Sequence, residues 1–336
     1  MDPIIEVNGL RKSYTVKDKR KKTSVEAVKG IDLQVAVGEV FGFLGPNGAG
    51  KTTTMRILTT LLRPDSGQVR IAGFDLSRQP EQVRQHIGYV GQLGGADIGA
   101  TGRENLVLAS RLYGARAGQA KARAHELLEV FGLETQADHI VRTYSGGQKR
   151  RLEIALGMAN RPQVLFLDEP TTGLDPQSRN NLWDQIRLLQ HDGTTVFLTT
   201  HYLDEADRLS DRLGIMDHGE IVATGAPEAL KKEIAGDVVT LRIDEAASGK
   251  GTDAARALLS GAPFVNEAYI EGGGLLLYVD DGKKALPHLF ELLEREGFTV
   301  DSAALSQASL DDVFLKKTGR LMHGTMPEQE AEQEVA

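Results

Sequence analysis

Apolar residues follow two different periods along the first two thirds of the chain. Unbroken short runs, Val40-Phe-Gly-Phe-Leu44, Val164-Leu-Phe-Leu167 and Val196-Phe-Leu-Thr199, have the length of strands buried on both faces. Between them the spacing turns helical. Met55, Leu58 and Leu62 share one side of a predicted helix over residues 51–62, and Leu152, Leu156 and Ala159 share the buried side of another over 145–159. Buried strands that alternate with helices predict a largely parallel sheet. Shorter segments at 4–7, 31–35 and 69–71 predict an antiparallel β flank. Residues 93–160 carry mostly helical patterns and predict a helical subdomain inserted into the α/β core.

The pattern changes at Gly225-Ala-Pro-Glu228. Beyond it, residues 238–243, 264–270, 275–279 and 299–304 read as strands. Helices are predicted over 253–259, 285–296 and 310–317. The order βαββαβ plus a helix predicts a small ferredoxin-like α+β domain. The expected division is an α/β unit over 1–228, a linker over 229–236, a C-terminal regulatory or dimerisation domain over 237–318, and an acidic tail over 319–336 too poor in apolar residues to fold.

Composition narrows the function classes. The chain has 336 residues, 40% of them hydrophobic and 26% charged, which is the balance of a soluble globular protein. Its net charge of −8 argues against a general nucleic-acid binder. With no cysteine, disulfides and thiolate metal sites are excluded. No signal peptide is expected from the opening Met-Asp-Pro, and no run approaches the ~18 apolar residues of a membrane span. Work at a membrane would require another chain to supply the span.

Gly45-Pro46-Asn47-Gly48-Ala49-Gly50-Lys51-Thr52 follows a buried strand and opens a helix. Glycines at these positions let backbone N–H groups converge on phosphate oxygens, and the helix start adds its dipole. Lys51 would reach the β- and γ-phosphates of ATP, the Thr52 hydroxyl would bind Mg²⁺, and Thr53 joins the nucleotide-binding set. The apolar run 164–167 ends in two adjacent acids, costly to place there unless they have work to do. Asp168 would hold Mg²⁺, and Glu169 would orient and deprotonate the attacking water.

A second glycine-rich helix start, Tyr144-Ser145-Gly146-Gly147-Gln148, has no use in an ordinary kinase or GTPase. Ser145 is suited to cap that helix, with its hydroxyl and the amides of Gly146 and Gly147 facing an anion. The P-loop, this segment and the Asp168-Glu169 strand occur in the order and spacing of ABC transporter nucleotide-binding domains, and the chain resembles that family. The resemblance implies an α/β P-loop NTPase core in which Ser145, Gly146, Gly147 and Gln148 act in trans, capping ATP held by the other subunit of a head-to-tail homodimer. It also implies roles for Gln92 (catalysis and Mg²⁺), His201 (near the γ-phosphate), Asp175 (dimer interface) and Tyr14 (stacking on adenine). Taken singly, His201 and Tyr14 would more often be structural.

Two positions depart from the family pattern. Tyr144 stands where leucine is commonest. The segment 17–22 reads as a long basic loop, a solvated element or a contact for anionic lipid headgroups. Over its whole length the chain is similar to ATP-binding subunits of the daunorubicin-resistance type. Ile87-Gly-Tyr-Val-Gly-Gln92, Thr101-Gly-Arg-Glu-Asn105, Ser309-Leu-Asp-Asp-Val-Phe314 and Thr318-Gly-Arg320 carry that likeness. It implies export of a hydrophobic drug, antibiotic or lipid that contacts a separate polytopic membrane permease, with this subunit on the cytoplasmic face and no nucleic acid involved. The competing readings are an ABC importer subunit and a soluble ABC ATPase acting on DNA or ribosomes. The second would call for a paired ATPase domain, a coiled coil or a basic surface.

Overall fold

In the computed structural model, which describes residues 3–18, 21–234, 236–320 and 322, the three unbroken apolar runs lie side by side in one sheet. The first of two units, Met1–Pro227, runs β1 (Ile5–Asp18), β2 (Lys21–Val35), β3 (Val40–Leu44), α1 (Lys51–Leu58), β4 (Ser66–Ile71), β5 (Phe74–Asp75), α2 (Pro80–His86) and β6 (Ile87–Val90). It continues through α3 (Gly102–Leu112), α4 (Ala117–Val130), α5 (Gly146–Gly157), β7 (Val164–Asp168), α6 (Pro176–His191), β8 (Thr195–Thr200), α7 (Leu203–Leu209), β9 (Arg212–Asp217) and β10 (Glu220–Gly225). The main sheet has the order β10-β9-β3-β8-β7-β6, parallel from β9 to β6, with β10 antiparallel at its edge. β1, β2, β4 and β5 form the antiparallel flank.

Alternation explains why β3, β7 and β8 are apolar throughout. Leu165, Leu167, Val196 and Leu198 point to one face and pack with Leu152, Trp183 and Ile186 of the helical side. Phe41, Phe43, Phe166 and Phe197 point to the other and pack with Met55 and Leu58 of α1 and with the flank. Phe197 sits at the middle, with ring centroids 5.5–5.6 Å from Phe41, Phe43 and Phe166.

Two local expectations are corrected. α1 stops at Leu58 and does not reach residue 62. The Thr59 hydroxyl bonds Met55 O, Thr60 turns left-handed, and the next two N–H groups fold back onto Arg56 O. The expected basic loop at 17–22 is largely strand: pairing runs out to Lys17↔Lys22 and Asp18↔Lys21, because nothing between residues 10 and 29 is glycine or proline to interrupt it. Lys19 and Arg20 lie outside the described residues.

α8 (Pro227–Glu233) covers most of the segment expected as a linker. The second unit, Glu228–Ala336, runs β11 (Asp237–Ile243), α9 (Glu245–Ser248), α10 (Thr252–Leu259), β12 (Val265–Glu271), β13 (Gly274–Val279), α11 (Gly282–Arg295), β14 (Val300–Gln307) and α12 (Leu310–Thr318). Its antiparallel sheet has the order β12-β13-β11-β14, the ferredoxin-like arrangement. Apart from residues 319, 320 and 322, the expected acidic tail lies outside the described residues.

Phe197→Ala should cost about 3–5 kcal/mol, since the side chain is fully buried among three other rings that cannot collapse into its volume. Urea unfolding of the full chain measures it.

Candidate active site

Six residues join the end of β3 to the start of α1. Gly48 and Gly50 adopt φ of 78° and 107°, and a Cβ on Gly50 would lie 2.3 Å from Ala27 O. The resulting turn wraps Lys51, which is only 4% exposed. Its Nζ donates to Gly45 O at 2.6 Å and Pro46 O at 3.0 Å. Burial pushes the ammonium below the usual lysine range, against the opposing pull of the Glu169 and Asp168 carboxylates.

Asp168 closes β7 and is 3% exposed. Burial pushes its carboxyl upward, while the Thr199 hydroxyl, donating at 2.6 Å, together with Lys51 and Arg150, holds it down. Glu169 follows with φ of 45°, a conformation costing a non-glycine residue roughly 1–3 kcal/mol. Its N–H donates to Thr199 O at 3.1 Å, which fixes the turn. The carboxylate is thereby aimed into the site. Oε1 lies 3.1 Å from His201 Nδ1 and 4.0 Å from Lys51 Nζ, and Oε2 accepts from Gln92 Nε2 at 3.5 Å and Thr172 Oγ1 at 3.3 Å.

These residues leave the C-terminal ends of four adjacent parallel strands, β3, β8, β7 and β6, so sheet topology brings together positions up to 150 residues apart. The Tyr14 hydroxyl lies 3.5 Å from Thr53 Oγ1, placing the half-exposed ring beside the first turn of α1. Asn47, Gly48, Gly50, Lys51, Thr52 and Thr53 line a cleft of about 160 Å³ together with Glu169. Thr52 also opens onto a larger groove, about 650 Å³, with Gln92 and Asp168 in its wall.

The Ser145–Gln148 segment lines neither cleft. Ser145 caps α5 in a reciprocal box, Gln148 N–H to Ser145 Oγ at 3.2 Å and Ser145 N–H to Gln148 Oε1 at 2.9 Å. Ser145 and Gly146 are exposed. Gly147 abuts Ser178, where an added Cβ would come 2.7 Å from Oγ. Asp175 caps α6 by accepting from Ser178 N–H at 2.9 Å. Tyr144, the unusual residue, is buried with its hydroxyl donating to Gln136 O at 2.6 Å, so its polar end is satisfied.

Three supporting residues escaped the sequence reading. Arg150 is 7% exposed and donates to Gly91 O at 3.0 Å, Asp168 O at 3.0 Å, Pro170 O at 2.7 Å and Glu153 Oε2 at 2.9 Å. It ties the start of the Gln92 loop to the acids and to α5. Its position on the buried face of α5, three residues before Glu153, was the only signal. Thr199 bridges Asp168 and Glu169, and its signal was a hydroxyl ending an apolar strand. Glu205, four residues past His201, is fully buried against Trp183 Nε1 at 3.2 Å, and burial pushes its carboxyl up.

A wrapped lysine, a buried aspartate and a strained glutamate facing a histidine define the class: a P-loop ATPase. Comparisons carry it further. The family described as "ABC transporter" matches residues 28–172, and "ATP-binding protein DrrA1-3-like, C-terminal domain" matches 225–318. The chain is 44% identical to the daunorubicin/doxorubicin resistance ATP-binding protein DrrA of Streptomyces peucetius, covering 98% of this chain and 97% of that one. It is 42% identical to the Nod factor export ATP-binding protein I of Paraburkholderia xenovorans, covering 95% and 98%. Among solved structures it resembles a dimeric, post-hydrolysis ATP-binding cassette bound to ADP and Pi (TM-score 0.60, 28% identity, 66% of this chain and 98% of that one). It also resembles cbiO1 from Clostridium perfringens, part of an ABC transporter complex (TM-score 0.61, 28% identity, 69% and 92%).

The chain belongs to the ABC transporter ATP-binding subunits of the daunorubicin-resistance type. It binds ATP, and its hydrolysis is coupled to transport. ATP-binding subunits of this family work as dimers with a membrane permease. Among the described residues, no helix is long and apolar enough to cross a membrane.

Arg150→Ala should destabilise the first unit by roughly 3–5 kcal/mol, because it leaves buried carbonyls and Glu153 without their shared partner. Arg150→Lys should recover little, since one ammonium cannot span three carbonyls. Denaturant titration of both variants checks the prediction.

Proposed function

We propose that two copies of this chain clamp two ATP molecules head to tail and drive export of a hydrophobic molecule through a separate permease. The observation that carries this reading is the division of the site. Lys51, Gln92 and His201 converge on Glu169, while Ser145 and Gly146 are exposed elsewhere on the same chain, with Gly147 and Gln148 half-buried beside them. A second chain related by a C₂ axis would bring its own Ser145 segment to the γ-phosphate.

Within each half-site the chain's own groups divide the work. Backbone N–H groups from Gly48 to Thr53 cradle the phosphates at the start of α1. Lys51 Nζ exchanges the carbonyls of Gly45 and Pro46 for β- and γ-phosphate oxygens. Tyr14 offers its ring to the adenine. Asp168, Thr52 and Gln92 would hold Mg²⁺; the donor set of a buried carboxylate, a hydroxyl and an amide oxygen fits that ion, and burial raises the proton affinity of the Asp168 carboxyl. Bound there, Mg²⁺ would neutralise charge on the phosphates. Glu169 accepts the proton of the attacking water, and His201 holds its carboxylate in place. Asp175 sits beside the dimer contact.

The larger groove supports a permease contact. It begins at Gln92 and Asp168 and continues past Leu93, Leu108, Leu112 and Tyr113, all exposed. A short apolar segment of the permease seated there would sense the nucleotide through Gln92, holding the subunit at the cytoplasmic face of the membrane. The names of the relatives, drug resistance and Nod factor export, support outward transport of an amphipathic or hydrophobic cargo.

Glu169→Gln should keep ATP binding and lower turnover roughly 10²- to 10⁴-fold, because the amide cannot take a proton. The variant should then show ATP-dependent association in light scattering that reverses when ADP replaces ATP. Wild-type turnover would remove Glu169 from its role.

Ser145→Arg should leave nucleotide binding intact and abolish ATP-dependent association and hydrolysis. Binding by fluorescence and mass by sedimentation separate the two effects. Normal turnover in this variant would reject the two-chain site.

A further inference from the structure

The two edges of the C-terminal sheet are built differently. β12 carries Glu267 and Glu271, and Glu267 pairs with Lys316 at 3.1 Å and accepts from the Tyr269 hydroxyl at 2.7 Å. Charges on an edge strand discourage pairing with a further strand. β14 has no such guard. It pairs with β11 along its whole length, yet it is exposed at every residue after Val300. Asp301 is its single charge, it has no lysine or proline, and its one register shift falls at its start. Among the described residues, its outer side is a row of main-chain donors and acceptors with no charge past Asp301 and no proline to turn a partner away.

The order of side chains on β14 is its own complement. Outward from Ala304 come Ala303 and Leu305, then Ser302 and Ser306, then Asp301 and Gln307. Two antiparallel copies about a two-fold axis through Ala304 would oppose Ala303 to the partner's Leu305, Ser302 to Ser306, and Asp301 to Gln307. Ala303 and Leu305 are in register with Leu241 and Val239, whose side chains enter the core beneath α10 and α11. The apolar pair would therefore extend that core and cover Leu305, now 39% exposed. The serines lie on the opposite face and would meet as hydroxyls. No pairing brings like charges together. Centring on Ala303 would instead set Asp301 against Leu305.

We propose that β14 is a homodimer edge: two copies of this chain pair antiparallel over residues 301–307 about Ala304 and join two four-stranded sheets into one of eight. The contact lies wholly in the C-terminal unit and needs no nucleotide. It is separate from the ATP-dependent contact proposed above.

The chain has no cysteine, so an introduced one reports alone. The full chain carrying Ser145→Arg, in which ATP-driven dimers are blocked, is the background, and all samples are nucleotide-free. Ala304→Cys places two thiols on the axis, where opposed Cβ atoms lie about 4.5–5.5 Å apart, within a small adjustment of disulfide reach. Mild oxidation should convert most of it to a covalent dimer. Ser302→Cys or Ser306→Cys alone should not cross-link, because each lies about 13 Å from its own mate, four residues along the strand. Their equimolar mixture should. Ala304→Lys and Ala304→Glu should each lose self-association in sedimentation, keep ATP binding as proof of folding, and regain association when mixed.

The proposal is overturned if Ala304→Cys stays monomeric while still binding ATP. It is overturned equally if the cysteine links to the permease in the intact complex and not to its own copy. Lysine and glutamate variants that associate like the parent would also overturn it. ATP-dependent dimers that fail to form in the Ser145 wild type would bear on the ATP site alone, since this assay contains none.

Discussion

Three charged groups held together beneath the surface are the constraint on which the first unit depends. Lys51, Asp168 and Glu169 keep between 3% and 12% of their exposure, and Lys51 and Glu169 stand 4.0 Å apart. Isolated burial of any one would cost several kcal/mol, so each exists only with the others in place. The neighbouring architecture serves that balance. The P-loop carbonyls accept two of the lysine's N–H bonds, Thr199 bridges the acids, and the Arg150 guanidinium donates to the carbonyls on either side of Glu169. A nucleotide's phosphates would meet the same need for charge partners, which makes the cluster a binding site and a stabilising element at once.

Position along the sheet converts this cluster into a device that can report on its contents. Gln92 bonds Glu169 on one side and opens onto the exposed apolar groove on the other. Arg150 links the carbonyl before Gln92 to α5, the helix capped by Ser145. Glu205 and Trp183 connect the segment after His201 to α6, the helix capped by Asp175. Hydrogen bonds thus connect Glu169 to Gln92, and the Gln92 loop to α5, whose capped start is proposed to meet another chain. A two-state closure needs such short, buried connections, because packed cores shift between discrete arrangements and do not bend smoothly.

The second unit shows the same contrast between guarded and open surface. Its core under α10 and α11 is closed and apolar, and β12 is guarded by charge. Among the described residues of this unit, β14 leaves a long backbone edge open. A βαββαβ sheet has two edges by construction, and a chain that works as a dimer has reason to leave one of them available.

Much of this protein was legible from the residues themselves. Glycines at 45, 48 and 50 before Lys51, two acids ending an apolar strand, and Ser145 opening a helix are local patterns whose chemistry is set by near neighbours in the chain. The ferredoxin-like order followed from strand and helix periods alone. Where the sequence reading failed, the cause was non-local or depended on one backbone angle. The end of α1 at Leu58 turns on a left-handed Thr60, and the reach of β1 and β2 on their pairing with each other. Arg150 looked like one more charge on a polar helix, because its partners are carbonyls 18, 20 and 59 residues away. The strained φ of Glu169 was equally hidden. Side-chain chemistry and period travel with the sequence; which buried carbonyls a guanidinium can reach, and which way a carboxylate is turned, exist only once four parallel strands have placed their ends on one edge.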